Sequence, residues 1–240
     1  MSNKGSANRK QASAEARRIL SLLAGRPAEE KDIEREAHGR PFFPGSEIDF
    51  SISHSGALAA VSLVKGGKSR IGCDIERILR RPNTPEVAEK FFSAPEKNYI
   101  FGAGNLSSLG SRSSLESFDE TRFFGIWTLK ECFLKLRGLS VFDMNAVPSF
   151  VSDEGSGEEQ LAFNAAVPSA LSFRLYELSG GAVNAATLPA GERYMLATVI
   201  EGEEETPPEI RWFSQAFLDC KMIAEIKAAP NPTETVSPKR

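Results

Sequence analysis

Apolar positions recur along the chain with two different periods. From Ala12 to Ala24, Ile19, Leu20, Leu22 and Leu23 fall at helical spacing, and Gly25-Arg26-Pro27 ends the run. A stronger helical period runs from Arg122 to Arg137, with Gly138 placed to cap it. At about 100° per residue, Ile126, Leu129, Cys132, Phe133 and Leu136 form one apolar stripe. Trp127, Glu131 and Lys135 stand four apart on the opposite side. A tryptophan beside a charged pair on a side that should meet water implies that this side is covered too, by a cleft. Glu86 to Phe92 is also helical in pattern, and Ser93 and Glu96 have the spacing of a capping box that opens a further helix through Ile100.

The period-2 runs are short. They are Phe50 to Ser53, Ala57 to Val64, Ser69 to Ile75, Ser149 to Ser152, Leu161 to Ala165, Leu171 to Leu178 and Arg193 to Ile200. Lys65-Gly66-Gly67-Lys68 predicts a hairpin joining the second and third of these. The segment 37–45 reads as a turn-rich loop, and Gly102 to Glu120, rich in Gly and Ser, as a mobile one. Residues 201–209 form an acidic linker, followed by a short terminal element from Ile210 to Ile226. The polar first ten residues and the proline-bearing last dozen read as disordered. Each half thus runs from helices into short strands. The expected fold is α+β, with two similar lobes, each of helices on a small, mainly antiparallel sheet. The expected boundaries are 1–11 for a disordered start, 12–70 for a first lobe, 71–200 for a second lobe with a metal site, and 201–240 for linker, terminal element and tail.

Composition narrows the function classes. The chain has 240 residues, 41% hydrophobic and 25% charged, with a formal charge of −3. This supports a globular core and argues against nucleic acid or an anionic membrane surface as the main partner. Cys73, Cys132 and Cys220 are odd in number and far apart, so neither a disulfide framework nor a zinc-ligand spacing is present. No signal-type segment and no membrane-length apolar run is found, and a cytoplasmic location is expected.

Two constellations carry candidate chemistry. In IGCDIERI (71–78), alternation puts Gly72, Asp74 and Glu76 on one strand face. Two neighbouring carboxylates repel unless something positive lies beside them. Alone, such a pair is usually the solvated edge of a hairpin, and Glu131 with Lys135 is usually an exposed helix pair. If strand and helix face each other, three carboxylates converge. A hard, oxygen-liganded cation such as Mg²⁺ would then resolve the repulsion, with Lys135 ready for a phosphate. Gly72 would leave room for a ligand. FSISHSG (50–56) adds Ser53 and His54 at a strand end, either a capped turn or an anion contact, and Arg40 lies on the loop upstream.

In order along the chain, GRPFFP (39–44), FSISHSG (50–56), IGCDIE (71–76), KFFSAPE (90–96) and WTLKECFLKLRG (127–138) resemble the motifs of the 4'-phosphopantetheinyl transferases of the larger, surfactin-synthetase-activating type. Ser51 stands where that pattern commonly has Asn. The resemblance covers about residues 10 to 218. It implies transfer of the phosphopantetheine arm of coenzyme A to a serine of an apo acyl or peptidyl carrier protein, dependent on Mg²⁺, with release of adenosine 3',5'-bisphosphate. It implies Asp74, Glu76 and Glu131 as metal ligands, and Glu131, Lys135 and Asp74 as catalytic residues. Arg40, Ser53, His54 and Lys135 would contact coenzyme A. It further implies pseudo-twofold lobes, coenzyme A in the cleft between them, and a monomer. Arg112 and Arg122 are placed to meet an acidic carrier. Only about ten residues precede Ala12, where the larger members carry a further strand and basic segment. The first lobe is therefore expected to be shortened, leaving Lys4, Arg9, Lys10, Arg17 and Arg18 as basic candidates. The competing readings are a catalytically weak homologue that binds coenzyme A or the carrier, and another Mg²⁺-dependent phosphotransferase.

Overall fold

The computed structural model describes residues 3–56, 58–102, 117–152, 160–165, 167, 170–180, 191–202 and 218–228. Helix α1 (Asn3–Ala24) leads through a 3-10 turn (Glu30–Asp32) to the two-residue strands β1 (Glu34–Arg35) and β2 (Pro41–Phe42). Strands β3 (Asp49–Ser55), β4 (Leu58–Val64) and β5 (Arg70–Arg77) follow, then helices α2 (Thr84–Phe91), α3 (Ala94–Phe101) and α4 (Glu120–Arg137). A 3-10 helix (Val141–Ala146) precedes β6 (Ser149–Ser152), β7 (Gln160–Asn164), β8 (Leu171–Gly180), β9 (Arg193–Glu201) and β10 (Leu218–Ala228). The architecture is mixed, helices on small antiparallel sheets. Four strands pair in the order β10-β8-β9-β5, and β1-β2, β3-β4 and β6-β7 form two-stranded ribbons.

Local signals set the helix ends. Asp119 caps α4 by accepting from the Arg122 amide, and Gly138 closes it at φ 66° in the left-handed region that glycine tolerates best. Ser93 and Glu96 form the expected capping box of α3. Helix α4 lies against β5 and β9. It is buried more widely than a single stripe: Phe123, Phe124, Lys130 and Leu134 are covered together with Ile126, Leu129, Cys132 and Leu136. Full burial of each such apolar side chain stabilises the fold by about 1.5–3 kcal/mol. Trp127, Glu131 and Lys135 are the partly exposed row along the same helix. A second, smaller core joins Leu20 and Ala24 of α1 to Phe43 and Phe50.

Two sequence expectations differ from the structure. Helix α1 begins at Asn3 rather than at Ala12, so the first eleven residues are not a wholly disordered start; no proline interrupts them, and polar residues do not forbid a helix. The Gly66-Gly67 segment does not form a hairpin between β4 and β5. Instead β4 pairs with β3, while β5 pairs with β9. Strand β5 is buried over most of its length, so it gains more from joining the edge of the larger sheet than from a local ribbon. The terminal element, for which the sequence pattern assigned no type, is a strand, β10, laid antiparallel to β8. Most of the Gly/Ser-rich loop, including Arg112, and most of the acidic linker lie outside the described residues.

Candidate active site

Strand β5 is one of the two edge strands of the four-stranded sheet, and β3 runs beside it in parallel, joined through side chains. The Asp49 carboxylate accepts the Ile71 amide at 2.7 Å, Ser53 Oγ accepts the Ile75 amide at 3.3 Å, and Ser55 Oγ accepts the Arg77 amide at 3.0 Å. Ser51 Oγ donates to the Cys73 carbonyl at 3.4 Å. Alternate residues of β3 thus satisfy the open edge of β5. On the helix side, Gly72 allows close approach. A Cβ there would lie 2.6 Å from the Cys132 carbonyl oxygen and 2.9 Å from a Val199 methyl. The space expected for a ligand at Gly72 is filled by the backbone of α4.

This packing brings the expected residues together. Asp74, Glu76, Glu131 and Lys135 line one cavity of about 420 Å³, together with Ser53, His54 and Arg40. Lys135 Nζ stands 2.6 Å from Asp74 Oδ1 and 2.7 Å from Ser53 Oγ, and Ser53 Oγ donates to Asp74 Oδ1 at 2.7 Å. Ser55 Oγ donates to Glu76 Oε2 at 2.9 Å. Asp74 is only 3% exposed, and its Oδ2 is buried without a hydrogen-bond partner. Burial, and then the charge of Asp74, push the carboxyls of Glu76 and Glu131 up to about 7. Burial works against the Lys135 ammonium, but the acidic groups around it, Asp74 foremost and Glu131 with it, together hold the pKa above the ordinary lysine value.

The donor chemistry fits a hard cation. All three acids offer oxygen, one buried carboxylate oxygen is orphaned, and two carboxyls resist ionisation because they are buried beside Asp74 and the single Lys135 ammonium does not outweigh this. Among the described residues, though, no three His, Cys, Asp or Glu side chains already stand as a metal-holding group. Cys73 and Cys132, each beside one of these acids, are buried thiols whose pKa burial raises, so they are not thiolate ligands.

Other expected residues take different places. Arg40 lines the cavity but is 5% exposed, and its donors are engaged within the protein. It forms a bidentate pair with Asp49 at 2.8 and 2.7 Å and also donates to the carbonyls of Lys135 and Ile71. It therefore ties β3, β5 and the last turn of α4 to one another. Trp127 packs on Phe91, Phe92 and Phe123, with ring centroids 6.1–6.4 Å apart, and does not line the cavity. Lys130 is buried in an ion pair with Glu96 at 3.1 Å. Sequence reasoning missed Arg35 and His38, which join Arg17 and His54 on the cavity lining. Arg17 and Arg35 both reach Glu30, at 3.2 and 3.6 Å. Two-residue strands leave too little period for Arg35 to be placed from sequence.

A family model described as the 4'-phosphopantetheinyl transferase superfamily matches residues 70–188, the stretch that contains Asp74, Glu76, Glu131 and Lys135. The chain belongs to this superfamily. It is 30% identical over 149 residues to the 4'-phosphopantetheinyl transferase psf-1 of Bacillus pumilus, covering 60% of this chain and 56% of that protein. It is 25% identical over 212 residues to a phosphopantetheinyl transferase of a Thraustochytrium species, covering 85% of this chain and 67% of that protein. Against the 4'-phosphopantetheinyl transferase AcpT of Salmonella typhi, identity is 34% over 116 residues, covering 46% and 52%. The chain therefore spans about half to two thirds of the length of these relatives. Among its described residues, no helix is long and apolar enough to cross a membrane.

Proposed function

We propose that this chain transfers the 4'-phosphopantetheine arm of coenzyme A to a serine hydroxyl of an apo carrier protein, releasing adenosine 3',5'-bisphosphate. The observation that carries this reading is the meeting of Asp74, Glu76, Glu131 and Lys135 on one cavity, in a chain whose matched segment holds all four. Coenzyme A would lie in that cavity, in a cleft between two pseudo-twofold-related lobes.

Asp74, Glu76 and Glu131 would hold Mg²⁺, which supplies charge neutralisation at the pyrophosphate of coenzyme A. The protein's own groups have separate tasks. An ammonium has three N–H donors; those of Lys135 reach Ser53 and Asp74 and leave one for a phosphate oxygen. Glu131, whose carboxylate makes no hydrogen bond among the described residues, is the base. It takes the proton of the carrier serine as the serine oxygen bonds to the β-phosphorus. The bond from that phosphorus to the bisphosphate oxygen breaks, and its electron pair leaves with the bisphosphate. Arg17, Arg35, His38 and His54 offer donors to the anionic nucleotide end.

Quantifying released adenosine 3',5'-bisphosphate in mixtures of the protein, coenzyme A and Mg²⁺, with and without apo carrier protein, tests the reading. Release must require both carrier and metal. Release without carrier would mean a different Mg²⁺-dependent phosphotransferase or hydrolase. Coenzyme A binding with no release from any carrier type would mean a binding homologue.

A further inference from the structure

Ser53 and Ser55 stand two apart on β3, and Asp74 and Glu76 stand two apart on the neighbouring β5. Each serine meets one carboxylate, at 2.7 and 2.9 Å. The direction of each hydroxyl proton is set by its other partners. Ser53 Oγ accepts from the Ile75 amide and from the Lys135 ammonium, so both its lone pairs are engaged and its single proton is left for Asp74 Oδ1. Ser55 Oγ accepts the Arg77 amide and gives its proton to Glu76 Oε2. The consequence at Asp74 is specific. Oδ1 is held by a hydroxyl and an ammonium, whereas Oδ2 is buried with no partner.

We propose that Ser53 and Ser55 are positioning residues for the metal site, each fixing one oxygen of its carboxylate by hydrogen bonding and leaving the other for a divalent cation. This rests on the reading of the acidic cluster as a Mg²⁺ site. It gives the two serines a task distinct from contact with the coenzyme A nucleotide, the role the motif resemblance implied for Ser53. Outer hydrogen bonds of this kind orient ligands and typically change metal affinity by about 10–100-fold when removed.

Ser51 supplies the internal control. It lies on the same β3–β5 seam and bonds the Cys73 carbonyl but touches no carboxylate. The experiment is calorimetric titration of Mg²⁺ into the full chain saturated with coenzyme A, for wild type, Ser53→Ala, Ser55→Ala, Ser55→Thr and Ser51→Ala. Coenzyme A affinity without metal and thermal midpoint are measured alongside. The expected result is a Mg²⁺ dissociation constant raised about tenfold or more in Ser53→Ala and Ser55→Ala, wild-type affinity in Ser55→Thr and Ser51→Ala, and metal-free coenzyme A affinity unchanged in Ser55→Ala. Mg²⁺ affinity within twofold of wild type in folded Ser55→Ala would overturn the proposal. So would a loss shared equally by Ser51→Ala, which would mark the seam as structural only. If Ser53→Ala does not fold, half-buried Ser55 still decides. No Mg²⁺ binding by the wild type would instead overturn the metal reading beneath it.

Discussion

At the scale of single residues, the site is a problem of like charges. Asp74, Glu76 and Glu131 crowd one lysine, and burial followed by Asp74 pushes Glu76 and Glu131 up to about 7. The unfolded chain releases these protons near the ordinary value of 4.5. The folded protein thus holds them more tightly, and the stability they contribute is present below about pH 4.5 and lost as pH rises through about 7. Metal-free protein should melt at a higher temperature at pH 6 than at pH 8. Mg²⁺ should raise the pH 8 value, and Glu131→Gln should narrow the gap while lowering kcat by about 10²–10⁴-fold. Scanning calorimetry at the two pH values checks the sign; a metal-free protein more stable at pH 8 would contradict it. The acids were legible in the sequence because alternation and four-residue spacing assign each to a face. The partners of Ser53, Ser55 and Arg40 were not, because only the parallel seating of β3 on β5 reveals them.

At the scale of elements, α4 owes its place to groups that take no part in the chemistry. Gly72 lets β5 touch the helix backbone, and Glu96 draws Lys130 into the core. Glu96 also accepts the amides of Ser93 and Phe150 at 2.8 and 2.9 Å, so one carboxylate joins α3, α4 and β6. Removing one partner leaves an uncompensated buried charge. Lys130→Ala or Glu96→Ala should each cost about 3–5 kcal/mol, and the double variant less than the sum. Urea denaturation of the single and double variants measures this; additive losses would contradict the coupling. The capping signals of α3 and α4 were readable because they are local. The Gly66-Gly67 hairpin signal was local too and misled, because a strand buried on both faces is claimed by distant pairing.

At the scale of the whole molecule, a side-chain seam replaces a backbone ladder between β3 and β5, and Arg40 clamps the same junction to the end of α4. It is this junction that presents Ser53 to Asp74 and Lys135. The order of motifs carried the family assignment from sequence alone, because each motif is weak by itself and only their succession along the chain is specific. The basic lining at Arg35 and His38 depends on short strands and turns, which leave no periodic trace.

The most direct test of the account is intact mass spectrometry of an apo carrier protein incubated with this protein, coenzyme A and Mg²⁺, beside an Asp74→Ala control. The account predicts that the carrier gains one phosphopantetheine arm with the wild type and none with the control. A carrier left unmodified by the wild type across fatty-acid, polyketide and peptide-synthetase types, while coenzyme A still binds, would contradict it.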